Sequence, residues 1–156
     1  MRNSVKKILF VCTGNSCRSV MAEGLFKKMT EGRSDEFETS SAGISAIDGF
    51  PASPETIKVM AAEGMDVSGH RSQRLKAELV RASDKIFVME REHKDWILRF
   101  LPESKGKVFL LTEFHTPDYG SAGEVDIPDP IQMSDSFYQN VLSVIRDCVK
   151  KIVKSL

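Results

Sequence analysis

No stretch of this chain is long and apolar enough to cross a bilayer, because its longest strongly apolar run, Ile8 to Cys12, falls far short of the roughly 20 residues required. No apolar signal segment follows the charged start, so a cytoplasmic protein with no membrane partner is expected. Net charge is missing as well: 22 Lys and Arg offset 22 Asp and Glu, and basic residues form no long block. Without that field, nucleic acid is not an expected partner. Cysteine is scarce. The three present are an odd number, and Cys12 and Cys17 stand five positions apart, which fits reduced thiols better than a disulfide framework. His, Cys and acidic residues nowhere take metal-ligand spacing, so neither a zinc site nor another cofactor is expected.

What is present is an ordinary globular composition, 41% apolar over 156 residues. Size scaling leaves roughly 7,800 Å² exposed out of about 25,000 Å² for the unfolded chain, enough burial for one domain spanning 1–156 without staples. No repeat or linker interrupts it. Charge is nevertheless uneven. Between Glu113 and Asp135 stand six acids (Glu113, Asp118, Glu124, Asp126, Asp129 and Asp135) and no Lys or Arg. Three prolines and the turn residues Gly120, Ser121 and Gly123 share that segment, which reads as a long surface loop of the kind that carries function.

Ile8-Leu9-Phe10-Val11 reads as a strand buried on both faces. Apolar spacing from Ser19 to Met29 predicts a helix after it. Strands are further expected at 37–41, 85–89 and 107–111. Helices are expected at 54–63, with Ile57, Val59 and Met60 inward and Gly64 as its stop, at 93–101, and from Phe137 to Val153. Strands alternating with helices at this pitch imply a three-layer α/β/α fold with a parallel sheet. Cys148 reads as a core residue of the last helix and Trp96 as a packing residue, while His93 and His115 read as surface residues.

The chemistry gathers at the end of the first strand. Cys12-Thr13-Gly14-Asn15-Ser16-Cys17-Arg18-Ser19 lies between a strand and a helix, where an open α/β sheet places its ligand crevice. Gly14 and Asn15 tolerate left-handed dihedrals, so the chain can curl and aim successive amides at one oxyanion. Arg18 adds a planar fork matched to two phosphoryl oxygens, and the helix start adds its positive end. Such a nest stabilises a thiolate at Cys12, with Ser19 as a donor to the sulfur, and suits attack on phosphorus to form a phosphocysteine. The leaving group needs a proton. Asp129, in Asp126-Ile127-Pro128-Asp129-Pro130, is the favoured donor, and Asp126 is its close rival.

The stretch Val11 to Ser19 resembles the signature of low-molecular-weight protein-tyrosine phosphatases, and Asp129-Pro130 resembles their catalytic acid motif. Ser41-Ala42-Gly43, Ser68-Gly69-His70-Arg71-Ser72 and the terminal helix look similar too, so the likeness covers nearly the whole chain. The resemblance implies a four-stranded parallel sheet in the order 2-1-3-4 with the phosphate loop after strand 1. It implies Cys12 as nucleophile, Arg18 as phosphate clamp, Asp129 as acid and base, and Ser19 as thiolate partner. Residues 13 to 19 (Thr13, Gly14, Asn15, Ser16, Cys17, Arg18 and Ser19) would then bind phosphate or sulfate, with Asn15, Ser41 and His70 holding the loop in shape. A phosphorylated protein or peptide is the expected substrate, and a monomer the favoured state.

Two departures from the family pattern matter. Val20 replaces the proline usual after the Arg-Ser pair, which bears on the helix start. Ile131 and Gln132 stand where eukaryotic members have two aromatics, leaving Tyr119 as the ring that could fold over the site. Ser16 resembles the Thr of bacterial protein arginine phosphatases more than the bulky aliphatic of eukaryotic members, so arginine dephosphorylation is the alternative to tyrosine dephosphorylation. A phosphopeptide-binding module that has lost turnover is a further alternative. An arsenate reductase is disfavoured, because Ser83 to Lys94 holds no further cysteine. Cys17 reads either as ordinary packing or as a redox partner that traps oxidised Cys12 as a disulfide.

Overall fold

The computed structural model describes residues 4–114 and 126–156. Four strands, β1 (Lys6–Cys12), β2 (Phe37–Gly43), β3 (Lys85–Val88) and β4 (Val108–Leu110), form one parallel sheet in the order β2-β1-β3-β4. Among the described residues five α-helices cover it: α1 (Arg18–Met29), α2 (Pro54–Ala62), α3 (Ala77–Ala82), α4 (Arg91–Phe100) and α5 (Asp135–Ser155).

β1 shows why the middle strand must be apolar throughout. Its alternating side chains serve two cores: Ile8, Phe10 and Cys12 pack with α1, α2 and α5, while Leu9 and Val11 pack with α3 and α4. On the first face the rings of Phe26, Phe10, Phe87 and Phe109 follow one another at centroid spacings of 5.7, 5.7 and 5.8 Å, within the favourable range for aromatic pairs. α5 closes that face with Tyr138, Val141, Leu142, Ile145, Cys148, Val149 and Ile152, a repeat of three and four. Burial pushes the Cys148 thiol up to about 12, so it stays a protonated, inert core group.

All the expected strands and helices are present, with ends shifted by a residue or two. β2 runs on to Gly43, α4 begins at Arg91, and α5 begins at Asp135, where the Ser134 side chain accepts the Phe137 amide as an N-cap. Inside α2 the buried positions are Thr56, Val59 and Met60 rather than Ile57, which is only half-buried. The helix stops, as expected, before Gly64, whose φ of 80° suits glycine. α3 was not expected, because its six residues bury only Val80 and leave no period to read. Tyr119, His115 and the acids Asp118 and Glu124 lie outside the described residues.

Candidate active site

β1, β2 and β3 end side by side, and the sheet order places the crevice at the boundary between β1 and β3. Residues 13–17 fill that crevice between Cys12 and the first turn of α1. Asn15 takes the left-handed conformation, φ 55°, and turns the chain back so that its own amide donates to Cys12 Sγ at 3.3 Å. Of the two residues that tolerate this conformation only Asn15 takes it, and Gly14 does not, so the curl depends on Asn15. The end of β2 has to come close to hold the loop. A Cβ on Gly43 would lie 2.5 Å from the Thr13 carbonyl oxygen and 2.8 Å from the Asn15 amide, so only glycine fits there.

A directed chain of hydrogen bonds fixes the sulfur's second neighbour. The Gln73 amide donates to Asn15 Oδ1 at 2.9 Å, which sets the orientation of the Asn15 side chain. Asn15 Nδ2 then donates to Ser41 Oγ at 2.9 Å and to Ser19 Oγ at 2.8 Å. Ser41 Oγ in turn donates to Glu23 Oε1 at 2.6 Å. Ser19, already accepting from Asn15, has its proton free for Cys12 Sγ at 2.9 Å. His70 Nε2 lies 2.9 Å from the Asn15 carbonyl oxygen and donates to it. These contacts bring together Asn15, Ser19, Ser41 and His70.

Arg18 is 1% exposed, and a lone buried guanidinium would be costly. Its Nη1 is spent on Glu90 Oε2 at 2.6 Å and on the Ile127 carbonyl at 2.7 Å. Nη2 makes a long contact of 3.4 Å to Thr13 Oγ1 and stands 3.9 Å from Asp129 Oδ2, while Nε has no acceptor among the described residues. The Ile127 amide binds the Met89 carbonyl at 2.9 Å, which pins the 126–130 segment beside the phosphate loop. Asp129 Oδ1 takes the Ile131 amide at 3.1 Å, leaving Oδ2 toward Arg18. Asp126 is engaged elsewhere, accepting the Arg91 amide at 2.8 Å at the start of α4.

Residues 7–156 match the family described as low molecular weight phosphotyrosine protein phosphatase. The chain belongs to that family. As a low molecular weight phosphatase it acts through a catalytic cysteine, and Cys12 and Arg18 are the cysteine and arginine of its phosphate loop. It is similar to the probable low molecular weight protein-tyrosine-phosphatase EpsP of Ralstonia nicotianae, 38% identical over 91% of this chain and 90% of that one. It is also similar to the protein-arginine-phosphatase of Bacillus subtilis, 32% identical over 96% and 95% of the two chains. Among solved structures, Vibrio vulnificus Wzb in complex with benzylphosphonate superposes with a TM-score of 0.86 at 31% identity, covering 98% of this chain and all of that one.

Several residues of this phosphatase's site were not anticipated. Glu23 follows Ser19 by one helical turn on α1, so an i, i+4 reading from the serine would have found it. Glu90 stands just past β3 at the sheet boundary and, with His93, forms the capping box of α4. His93 is not on the surface as expected; it is 1% exposed, and its Nε2 lies 2.8 Å from Thr13 Oγ1. Val20 is buried in the first turn of α1, which starts at Arg18 without a proline. Cys17 is buried, with its sulfur 3.3 Å from Ser53 Oγ and 3.5 Å from the Tyr138 hydroxyl, contacts that suit a packed thiol. All three cysteines are free. No helix among the described residues is long and apolar enough to cross a membrane.

Proposed function

We propose that this phosphatase removes the phosphoryl group from phosphotyrosine in proteins or peptides through a phosphocysteine intermediate. The Cys12 thiolate attacks phosphorus, forming an S–P bond as the P–O bond to the tyrosyl group breaks, and Asp129 delivers a proton to the departing phenolate oxygen. In the second step Asp129 takes a proton from water, whose oxygen attacks phosphorus. The S–P bond breaks, and inorganic phosphate and the thiolate are released. Arg18 contributes its Nε and Nη2 edge, which among the described residues holds only the long Thr13 contact and the Asp129 approach on Nη2, a fork matched to two phosphoryl oxygens. Asn15, Ser19, Ser41 and His70 hold the loop and aim the serine hydroxyl at sulfur.

The observation that carries the choice of tyrosine is the apolar rim. Ile47 and Phe50 are 71% and 58% exposed on a segment tied to the phosphate loop through Ser45 N to the Thr13 carbonyl and Ser53 N to the Ser16 carbonyl. Ile131 and Met133 are exposed just beyond Asp129. An aromatic ring is the better match for such walls. The relative bound to benzylphosphonate, a phosphorus group on an aromatic carrier, supports this reading. Arginine is the second reading. It rests on Ser16, whose hydroxyl has Cys17 Sγ, at 3.6 Å, as its one hydrogen-bond partner among the described residues, and on the arginine phosphatase among the relatives. Measuring kcat/KM side by side on phosphotyrosine, phosphoarginine and phosphoserine peptides decides between them, with the tyrosine peptide expected to be turned over fastest. Ser16→Ile is expected to raise the tyrosine-to-arginine ratio further; an unchanged ratio removes Ser16 as a selector.

A further inference from the structure

His93 is a buried titratable side chain for which the steps above have no use, yet it touches the residue next to the nucleophile. Its two ring nitrogens have different partners. Nδ1 accepts the Glu90 amide at 3.1 Å, so in the neutral ring the proton sits on Nε2, which faces Thr13 Oγ1 at 2.8 Å. Burial first, and then the Arg18 charge, push His93 down to about 4, so the ring is neutral near pH 7. Thr13 Oγ1 thus receives one donor from His93 and a longer one from Arg18 Nη2 at 3.4 Å. With both lone pairs facing donors, what remains of the hydroxyl is its proton, and no acceptor among the described residues takes it. The same Arg18 nitrogen stands 3.9 Å from Asp129 Oδ2, so Thr13 and Asp129 share one side of the guanidinium.

We propose that His93 is a positioning residue that holds Thr13 so that the threonine hydroxyl donates a hydrogen bond to the phosphoryl group of the substrate. This rests on the reading that Cys12 and Arg18 receive that group. Thr13 then supplies a side-chain donor beside the loop amides, and the orientation of that donor is set from the second core through α4. The pair becomes a binding element rather than a scaffold contact.

The test uses the full chain with p-nitrophenyl phosphate as substrate and inorganic phosphate as competitive inhibitor. Thr13→Val keeps the shape and removes the hydroxyl. It is expected to lower kcat/KM about 10-fold and to weaken phosphate inhibition by a similar factor, while Thr13→Ser stays within about threefold of wild type. His93→Asn keeps an acceptor for the Glu90 amide but is too short to reach Thr13, and is expected to behave like Thr13→Val. His93→Gln retains a donor at the distance of Nε2 and is expected to retain most of the activity. The double variant Thr13→Val/His93→Asn should be no worse than the weaker single variant, because both changes break one chain. A Thr13→Val enzyme within twofold of wild type, or losses that multiply in the double variant, would overturn the proposal. So would a lowered unfolding midpoint with unchanged phosphate inhibition, the signature of a structural role only. Should His93→Asn not fold, His93→Gln and the two Thr13 variants decide, since a Gln enzyme with wild-type stability but the Thr13→Val loss of phosphate inhibition would also overturn the proposal. An inactive wild-type chain would instead defeat the phosphatase reading itself, a result distinct from all of these.

Discussion

Asp126 and Asp129 belong to one short loop and differ in what they hold. Asp126 binds the first amide of α4, whereas Asp129 fixes its own turn with one oxygen and keeps the other toward Arg18. Removing the proton from position 129 should therefore affect chemistry, and removing the charge from position 126 should affect the helix. Asp129→Asn is expected to lose about 10²- to 10⁴-fold in kcat on substrates with poor leaving groups and much less on good ones. Asp126→Asn, which retains an acceptor for the Arg91 amide, is expected to change kcat by less than about threefold. Rates across a series of aryl phosphates check both, and a flat response in Asp129→Asn would move the acid role elsewhere. Sequence alone ranks these two acids on the prolines flanking Asp129, whereas the hydrogen bonds distinguish them by the partners each one holds. Arg18 teaches a related lesson. Its residue type was legible as a phosphate fork, but the part of the fork that remains usable depends on Glu90 and Ile127, which lie 72 and 109 positions away.

At the scale of elements, the site depends on how closely β2 approaches the loop that follows β1. Gly43 is the contact point, and the atoms a side chain would meet are backbone, which cannot swing aside. Gly43→Ala is expected to destabilise the fold by about 1–3 kcal/mol and to reduce kcat/KM by more than 10-fold, since the displaced atoms belong to Thr13 and Asn15. Urea unfolding together with initial rates tests this; normal activity would mean that the loop tolerates the shift. The sequence marked Ser41-Ala42-Gly43 only through family likeness, because a glycine at a strand end looks the same whether it ends a strand or receives a neighbour. α3 and the inward face of α2 were misread for a different reason. Six residues with one buried position carry no period, and Thr56 is buried in α2 because its hydroxyl finds Ser53 Oγ at 2.7 Å, a partner that hydrophobicity patterns do not register.

For the molecule as a whole, His93 links folding to pH. Its folded value of about 4 lies below the ordinary 6.5 of an exposed histidine, so the unfolded chain binds a proton that the folded chain refuses. The stability this burial allows is fully present above pH 6.5 and is lost as pH falls toward 4, at a rate of up to about 1.4 kcal/mol per pH unit. Urea midpoints measured from pH 7 to pH 4.5 are expected to fall more steeply in wild type than in His93→Gln, which does not titrate. Parallel slopes would mean that the ring binds its proton equally well folded and unfolded, and that burial does not hold it neutral.

The sequence by itself determined the alternation of strands and helices, the apolar middle strand and the residues 12 to 19 that can cradle a phosphoryl group. These are local properties: side-chain period sets the element, and neighbouring backbone amides set the cradle. Tertiary structure alone decided that Glu23, Glu90 and His93 enter the site, that Asn15 rather than Gly14 turns the loop, and that Asp129 faces Arg18 while Asp126 does not. Apart from the turn at Asn15, which is a local backbone conformation, each of those outcomes is a polar contact between residues far apart in the chain, and it is fixed by which donors and acceptors remain once the sheet has brought the strand ends together.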